Sequence, residues 1–534
     1  MKRRNFVRLT SAAGIAMAAF PILNCNSGTR NGKKPDASAF QLSEMTVAQM
    51  QDGMKKGTLT SRAITKSYLD QIALLDRNGP KINAVIEINP DALAIAEAMD
   101  AERKKGRLRG PMHGIPILIK DNIDTKDKMQ TTAGSIALSG NIASNDAFVV
   151  KKLREAGAVI LGKTNLSEWA NFRSTQSSSG WSSRGGQTKN PYILDRSPCG
   201  SSSGSGAAVA ANLCAVAVGT ETNGSIACPA ATNGVVGIKP TVGLVSRSGI
   251  IPISATQDTA GPLGRTVADA ATLLSVMIGA DENDPSRIPV THQKFTDFSG
   301  SFDLNGLNGK RIGVEKGFLK QNKDVDALLQ KALVQMKEKG AVIVEVDYMK
   351  TQKVDNAESI VLQYEFKDGL NKYLSKSNAK IKSLAELIAF NKANAAKAMP
   401  YFQQELLEIS EGRGSLQSKE YQEALAKILN VRNALNALFE SEKLDALCGP
   451  ATGPAWCNDL VKGDLWSGYG GYGPAAISGF PSVTVPMGAV NELPIGISFL
   501  GKAFADAGLI RIAYAYEQAS KNRTAPKFIE TLAG

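Results

Sequence analysis

The chain has 534 residues, of which 43% are hydrophobic and 21% are charged, a composition typical of folded globular proteins rather than disordered ones. Six cysteines are too few for a disulfide-based scaffold of this length, and they show no CxxC spacing of a metal site. Only two histidines are present, which disfavours imidazole-based catalysis and histidine-rich metal sites. The net charge of +12 comes from basic residues interspersed with acidic ones, so we do not expect nucleic-acid binding.

The N-terminal segment, residues 1–25, has the pattern of a targeting sequence. Arg3 and Arg4 precede the uncharged stretch Leu9–Leu23, which is short for a membrane span and typical of a signal peptide. The adjacent arginines resemble the bacterial twin-arginine signal, which exports folded proteins. The sequence that ends at Cys25 loosely resembles a lipobox, which would make Cys25 a lipidated first residue. We therefore expect an exported protein, periplasmic or lipid-anchored to the cell envelope, whose only membrane contact is through Cys25.

The first half of the mature chain alternates strands and helices. Residues 26–40 indicate a polar linker, and helical patterns follow up to about residue 107. Short apolar strands then alternate with glycine-rich loops and small-residue helices up to about residue 270, which predicts an α/β fold with a central sheet. The predicted elements of this part are buried strands at Gly114–Ile119 and Ala158–Leu161, an alanine-rich helix from Ala207, and a strand that ends just before Gly219.

The second half continues the alternation and then changes character. Strands are predicted at Lys310–Val314 and Ala341–Val346, with a helix between them. Apolar residues between about 355 and 440 recur at helical spacing, which indicates a helical insertion. Strand signals return at Asp445–Cys448 and Ser482–Val485, so the sheet is expected to be completed by the C-terminal end of the chain.

One segment matches a nucleotide-binding motif by letter only. Gly157–Thr164 satisfies the P-loop pattern GxxxxGK[ST]. A P-loop needs a strand before the first glycine and flexible residues between the glycines to wrap phosphates. Here an apolar run, itself predicted to be a strand, occupies those positions, so nucleotide binding is disfavoured.

Two glycine/serine loops, at residues 198–206 and 219–225, lie beside apolar elements. Glycine/serine runs are often flexible linkers. A linker, however, should not abut a buried helix and a second small-residue loop within such a short stretch. Glycines at the exit of a strand let the backbone approach a ligand and direct N–H groups towards it, as in an oxyanion hole.

A serine nucleophile in these loops needs a base, and the histidines are poorly placed. His113 lies just before a predicted buried strand, and His292 lies in a polar, proline-rich loop. Lys120 ends the apolar strand Gly114–Ile119, so its amine would be carried into the interior, where desolvation favours the neutral form. A neutral lysine is a competent base. The alternative is a lysine that extends from the strand end into solvent.

These motifs together resemble the amidase signature family, from about residue 45 to the C-terminus. The resemblance implies that residues 41–534 form a single large α/β domain with a central mixed β-sheet covered by helices on both faces. It also implies an amidohydrolase that requires no cofactor and no metal. The segments that carry it are Gly114–Asn122, Gly162–Glu168, Gly200–Gly204, Asn223–Ser225, Gly237–Thr241, Asp258–Pro262 and Leu493–Gly496.

The family uses a Ser–cis-Ser–Lys triad, and the resemblance assigns its three roles to this chain. Ser225 corresponds to the nucleophile, Ser201 to the bridging serine after a cis peptide bond, and Lys120 to the base. The backbone N–H groups of residues 222–225 correspond to the oxyanion hole. The residues that we expect to bind the oxyanion or the substrate are Thr222, Asn223, Gly224, Ser202 and Ala227.

Two departures from the family pattern bear on this site. The usual Gly-Gly-Ser-Ser-Gly-Gly reads Cys199-Gly-Ser-Ser-Ser-Gly here, so Ser203 replaces a glycine. The frequent arginine two residues after the nucleophile is Ala227, and without a guanidinium we predict a cleft for an uncharged acyl group, with small dicarboxylate monoamides as poor substrates. Four aromatic residues either line the far side of this cleft or merely pack their own loop: Trp456, Trp466, Tyr469 and Tyr472.

Within the family, Gly180–Pro191 and Asn223–Pro229 look most like the corresponding segments of bacterial peptide amidases. The resemblance implies hydrolysis of the C-terminal amide of peptides to acid and ammonia, without nucleic acid and without an obligate partner subunit. One alternative is an amidase for aryl or aliphatic amides or lactam oligomers, and another is an inactive exported binding protein on the same scaffold. Membership of a tRNA-dependent amidotransferase complex is disfavoured, because such enzymes work in the cytoplasm and this chain carries an export signal.

Overall fold

The structure, a computed structural model, describes residues 40–284, 297–349 and 354–532. The predicted signal peptide with Cys25, the predicted linker up to residue 39, and His292 lie outside these residues. None of the helices in the described part of the chain is long and apolar enough to cross a membrane.

Thirteen strands occur in the described residues. They are β1 Val85–Ile88, β2 Pro116–Lys120, β3 Val159–Thr164, β4 Trp181–Ser182, β5 Gly186–Gln187, β6 Val216–Glu221, β7 Val236–Lys239, β8 Thr259–Gly264, β9 Arg311–Glu315, β10 Val342–Val346, β11 Ala446–Pro450, β12 Ser482–Val490 and β13 Leu493–Leu500. Eleven of them form one sheet in the order β1-β3-β2-β6-β8-β7-β12-β13-β11-β9-β10, and β4 pairs with β5 in a separate hairpin.

Helices flank this sheet. They are α1 Val47–Lys56, α2 Ser61–Gln71, α3 Ala92–Lys104, α4 Phe148–Glu155, α5 Ser203–Ala210, α6 Ala227–Thr232, α7 Val267–Met277, α8 Lys323–Glu338, α9 Ala357–Lys376, α10 Leu384–Ala393, α11 Ala395–Ala398, α12 Glu405–Glu411, α13 Lys419–Ser441, α14 Gly473–Ser478 and α15 Asp506–Ser520. Helices α9 to α13 follow one another between β10 and β11, in the part of the chain with helical periodicity.

The sheet is mixed, which confirms the predicted α/β class. β2 runs parallel to both β3 and β6, and β9 runs parallel to both β10 and β11, whereas the other neighbours in the sheet are antiparallel. Parallel neighbours place their carboxyl ends at one edge of the sheet, so the ends of β2 and β6 lie together.

Strand β6 is longer than the sequence indicated. We predicted that it ends just before Gly219, but it continues to Glu221 and pairs with β8 as far as Glu221 opposite Thr259. The glycine marks a close approach rather than a loop, because a Cβ at this position would lie 2.7 Å from Ser202 Oγ. The residues assigned to the start of the second loop therefore belong to the strand.

Strand β3 occupies the segment that matches the P-loop pattern. All six of its residues are buried, and Lys163 Nζ donates to the Ile123 carbonyl oxygen at 2.7 Å and to Thr131 Oγ1 at 3.1 Å. The apolar residues between the two glycines are thus core residues of the sheet. They leave no loop that could wrap a phosphate.

Helix α9 packs against the strand-to-helix connections near the site. Phe366, Leu370 and Leu374 belong to the same buried apolar cluster as Trp169 and Phe172. The rings of Phe172 and Phe366 are 5.0 Å apart between centroids. The helical segment therefore forms a wall beside the carboxyl edge of the strands, where the glycine/serine loops lie.

Candidate active site

The two glycine/serine loops meet beside the end of β2. Ile119 of β2 lies opposite Val218 of β6 in the sheet, which brings Lys120 next to Thr220. The first loop precedes α5 and the second connects β6 to α6. The Ser202 N–H donates to the Ser225 carbonyl oxygen at 3.2 Å, so the two loops are in direct contact.

Lys120 is fully buried among hydroxyl groups. Its Nζ lies 2.8 Å from Ser201 Oγ, 3.1 Å from Ser202 Oγ and 2.9 Å from Thr220 Oγ1. Burial lowers the pKa of Lys120 to about 7, although the negative charges of Asp258 and Glu221 act in the opposite direction. A substantial fraction of the amine is therefore neutral near pH 7 and can accept a proton from a neighbouring hydroxyl.

The loop of Ser201 is held tightly by its neighbours. The peptide bond between Gly200 and Ser201 is cis, and the Ser201 carbonyl oxygen accepts from the Ser167 N–H at 3.2 Å. A Cβ on Gly200 would lie 2.2 Å from Ser167 Oγ, so only glycine fits. Ser203, which replaces a glycine of the family pattern, donates to the Cys199 carbonyl oxygen at 2.5 Å and so closes the loop.

The loop that follows β6 leaves a row of backbone donors unused. Glu221 Oε2 accepts from the N–H groups of Ile226 at 2.7 Å and Ala227 at 2.9 Å. These two hydrogen bonds join the end of β6 to the start of α6 and so fix the loop between them. Within the described residues, neither the N–H groups of residues 222–225 nor the Ser225 hydroxyl donates to a protein acceptor. Free N–H groups beside a serine hydroxyl are the arrangement that stabilises an oxyanion.

Gly224 has a backbone conformation that requires glycine. Its φ is +78°, and a Cβ would lie 2.3 Å from the ring of Tyr472. The close approach of this ring fixes the turn in which the free N–H groups lie.

The side chains of this loop contact residues that the sequence analysis missed as functional. Thr222 Oγ1 donates to Asp258 Oδ1 at 2.6 Å, and burial raises the pKa of Asp258. Asn223 Nδ2 donates to Glu358 Oε1 on α9 at 2.7 Å. Asp258 lies in a segment that carries the family resemblance, so its importance was detectable. Glu358 lies far along the chain in the helical insertion, where no local pattern distinguishes it from a surface acid.

A cavity of about 230 Å³ opens in front of the loops. Thr222, Asn223 and Ser225 line it, whereas Gly224 does not. The other lining residues are Ala170, Asn171, Phe172, Ser179, Cys199, Gly200, Cys228, Ile253, Leu362, Trp456, Asp464, Trp466 and Tyr472.

Three of the residues that we expect to bind the oxyanion or the substrate do not line this cavity: Ser202, Gly224 and Ala227. Ser202 is fully buried beside Lys120 and donates to the Thr220 carbonyl oxygen at 3.0 Å. Ala227 packs in a buried cluster that includes Trp456 and Tyr472. Contact of these residues with the substrate or the oxyanion stays a prediction.

Three of the four aromatic candidates line the cavity. Trp456 and Trp466 have ring centroids 5.6 Å apart, and Trp466 lies 6.2 Å from Tyr472, so the three rings form a continuous wall. Tyr469 does not take part, because its hydroxyl donates to Asp326 at 2.7 Å on another side of the loop. His113 is buried away from the site, with Nε2 3.0 Å from the Met99 carbonyl oxygen.

A disulfide bond joins Cys199 to Cys228. Five cysteines follow Cys25 in the chain, so they cannot all form disulfides with one another. Cys214 and Cys448 are buried free thiols, and Cys457 is an exposed one. No group of three or more metal-ligating side chains occurs in the described parts of the chain.

Comparisons with known proteins identify the family to which the chain belongs. The family model described as Amidase matches residues 63–510. The structure is similar to that of a peptide amidase from Stenotrophomonas maltophilia, with a TM-score of 0.87 and 48% identity over 92% of this chain and 99% of that one.

Two curated relatives extend the similarity to other amide-processing proteins. A probable amidase of Arabidopsis thaliana is 42% identical over 92% of this chain and 93% of its own length. A component of the glutamyl-tRNA(Gln) amidotransferase of Symbiobacterium thermophilum is 36% identical over 88% of this chain and 95% of its own length. The chain therefore belongs to the amidase signature family and is an amide-hydrolysing enzyme.

Proposed function

We propose that this enzyme hydrolyses the C-terminal carboxamide of peptides to a carboxylic acid and ammonia, with Ser225, Ser201 and Lys120 as the catalytic residues. The observation that carries the proposal is the 2.8 Å contact between Lys120 Nζ and Ser201 Oγ, in a loop that directly contacts Ser225. A buried lysine with a pKa of about 7 is a suitable base for such a relay.

In the acylation step, Ser225 Oγ attacks the amide carbon and forms a C–O bond. Its proton passes to Ser201 Oγ while Ser201 gives its own proton to neutral Lys120. The carbonyl oxygen takes the negative charge and accepts hydrogen bonds from the free N–H groups of residues 222–225. The C–N bond then breaks, the nitrogen receives a proton back through Ser201, and ammonia leaves.

Deacylation repeats the relay with water. Water attacks the acyl carbon, its proton passes through Ser201 to Lys120, and the ester bond to Ser225 breaks. Ser225 then recovers a proton and the peptide acid leaves, so Lys120 is neutral again at the end of the cycle. In both half-reactions, Ser201 relays the proton and Lys120 holds it.

The lining of the cavity supports a peptide as the acyl group. The aromatic wall of Trp456, Trp466 and Tyr472 offers apolar surface to side chains of the substrate. Asp464 is the acidic residue of the lining, and it accepts from the Trp456 indole N–H at 2.8 Å. The Asp464 carboxylate in the cavity wall disfavours substrates that carry a carboxylate of their own near the amide. The similarity to a peptide amidase favours the same substrate class.

Ammonia release from a substrate panel tests the proposal, with aniline release measured for the anilide, whose hydrolysis yields no ammonia. The panel compares an N-blocked amidated dipeptide, the same dipeptide as free acid, malonamic acid, an anilide and a small aliphatic amide. We expect the amidated dipeptide to give the highest kcat/KM. A preference for the anilide or the aliphatic amide would support the alternative amidase, and no turnover by wild type of any amide would support the inactive binding protein.

We also propose that the enzyme is exported by the twin-arginine route, on the basis of residues 1–25. Replacing both arginines with Arg3→Lys and Arg4→Lys should retain the precursor in the cytoplasm. Fractionation of cells that express wild type and the double variant measures this. Equal amounts of both proteins in the exported fraction would contradict the proposal. A separate experiment, metabolic lipid labelling with Cys25→Ala as control, tests whether Cys25 carries a lipid anchor.

A further inference from the structure

We propose that the Cys199–Cys228 disulfide is a positioning element of the active site, which holds the loop of Ser201 against the loop of Ser225. Reduction of this bond by a dithiol should slow turnover while the protein stays folded. The inference rests on the proposed function, because it assumes that Ser201 and Ser225 act as a pair.

The bond connects the two loops close to the reacting groups. Cys199 lies two residues before Ser201, and Cys228 lies three residues after Ser225, in the first turn of α6. The hydrogen bond from the Ser202 N–H to the Ser225 carbonyl oxygen is a further link near the same point. A covalent link beside one hydrogen bond restricts the motion of one loop relative to the other.

A second set of contacts lies farther from the serines. The Pro198 carbonyl oxygen accepts from Thr232 Oγ1 at 2.8 Å and from Asn233 Nδ2 at 2.9 Å, both at the end of α6. These contacts secure the start of the first loop even when the disulfide is open. Loss of the disulfide should therefore loosen the position of Ser201 without releasing the whole loop.

The backbone of Cys199 gives an independent reason to assign a role to its side chain. Its φ is +53°, in the left-handed region that favours glycine. The family pattern has a glycine at this position, and that residue would adopt the conformation more readily. A cysteine adopts this backbone conformation less favourably than a glycine does. What its side chain contributes in return is the disulfide bond to Cys228.

The disulfide faces the substrate cavity. Both cysteines line it, although only 4% of Cys199 and 1% of Cys228 is exposed. A small dithiol therefore reaches the bond through the cavity. Dithiothreitol attacks one sulfur to form a mixed disulfide, and its second thiol then displaces the enzyme sulfur. Two electrons pass to the enzyme, two enzyme thiols result, and the dithiol becomes a cyclic disulfide.

Steady-state kinetics of the reduced wild-type enzyme are the first test. We expect kcat for the amidated dipeptide to fall about tenfold and KM to change less than twofold, because misplacement of a reacting group affects the chemical step. The acid-limb pKa of the rate profile should stay unchanged, because Lys120 lies on β2 and not in either loop. A general loosening would admit water to Lys120 and move that limb to higher pH.

Variants separate the bond from the backbone conformation. Cys199→Ser, Cys228→Ser and the double variant should each show the same fall in kcat and no further response to dithiothreitol. Cys199→Gly restores the family residue and should be as slow as Cys199→Ser. Cys457→Ser removes the exposed free thiol and is the matched control, with wild-type kcat and wild-type sensitivity to dithiothreitol.

Alkylation and peptide mass spectrometry report which cysteines are reduced. A bound ligand should slow the reduction at least severalfold, measured on Ser225→Ala with the N-blocked amidated dipeptide in the cavity. Circular dichroism of the reduced wild type shows whether it stays folded, which keeps the test valid if the cysteine variants fold poorly.

Several results would overturn the proposal. They are free thiols at both positions in the isolated enzyme, reduced protein with unchanged kcat, unfolding upon reduction, a Cys199→Gly variant with wild-type kcat, and a reduction rate that a bound ligand does not change. Failure of the proposed function is recognised separately, because it would leave turnover intact in Ser225→Ala.

Discussion

Two neighbouring parallel strands each carry a fully buried lysine, Lys120 at the end of β2 and Lys163 near the end of β3. Burial lowers the pKa of both amines. Lys163 donates to the Ile123 carbonyl oxygen and the Thr131 hydroxyl, and negative charges that include Asp121 partly oppose the effect of burial. Lys120 Nζ contacts the hydroxyl groups of Ser201, Ser202 and Thr220, and also the Thr220 carbonyl oxygen at 3.2 Å.

Because both lysines are buried and both have lowered pKa values, burial alone does not select the lysine that we propose as the base. A carbonyl oxygen accepts a hydrogen bond but has no proton to pass on, whereas a hydroxyl both accepts and donates. In the proposed relay, Ser201 connects Lys120 to Ser225, whereas neither hydrogen-bond partner of Lys163 lines the cavity. We assign Lys163 a structural role in the sheet.

The largest expected effect tests this difference directly. Ser225→Ala and Lys120→Met should each lower kcat by at least about 10⁴-fold, because each removes one member of a cooperating unit. Lys163→Met should retain kcat within about threefold but lower the free energy of unfolding by about 3 kcal/mol, because it leaves buried acceptors and carboxylates unpaired. Ammonia release and urea denaturation measure the two quantities. Comparable losses of kcat in both lysine variants would contradict the assignment of a catalytic role to Lys120 and a structural role to Lys163.

Removal of the hydroxyl between the base and the nucleophile should have the next largest effect. Ser201→Ala deletes the relay but leaves Lys120 and Ser225 in place, so we expect kcat to fall about 10³-fold with a small change in KM. Ser203→Ala is the matched control in the same loop, since the Ser203 hydroxyl donates to a backbone carbonyl and does not contact Lys120. A Ser201→Ala variant with nearly normal kcat would remove the relay from the mechanism.

The pH dependence of kcat/KM reports the protonation state of Lys120. The amine must be neutral to act, so kcat/KM should fall tenfold per pH unit below an apparent pKa of about 7. Asp258→Asn removes a negative charge that raises this pKa, so the acid limb should move to lower pH. Lys163→Met should leave the limb in place. A profile that rises smoothly to pH 10 would exclude a neutral lysine with a lowered pKa.

The smallest effect concerns the cavity in front of the Lys120 cluster. Trp466→Ala removes the more exposed part of the aromatic wall, so kcat/KM for the amidated dipeptide should fall about tenfold, equivalent to about 1.4 kcal/mol. The value for a small aliphatic amide should change little, because that substrate does not reach the wall. Tyr469→Phe is the control, since Tyr469 does not line the cavity. Equal losses of kcat/KM for both substrates would show that the peptide chain does not contact the aromatic wall.

The sequence by itself determined the α/β class, and its resemblance to the family assigned the candidate triad. Strand periodicity is a local property, and the glycine/serine loops are contiguous segments whose spacing is written in the chain. Lys120 was recognisable as a candidate base because it ends an apolar strand, although the strand pattern alone left open a lysine that extends into solvent. The rejection of the P-loop match rested on the same local reasoning.

Only the tertiary structure decided the burial, the orientation and the hydrogen-bond partners of these groups. The end of β6 depends on its pairing with β8. The burial of Ala227 depends on a cluster that includes Trp456, and the contact of Asn223 depends on Glu358, which lies on a helix far along the chain. The pairing of Cys199 with Cys228 likewise required the two loops to be adjacent in space. The pKa of Lys120 and the free N–H groups of residues 222–225 arise from surroundings assembled by distant segments. Burial, orientation and unpaired donors are properties of the packed molecule, so no local pattern in the sequence specifies them.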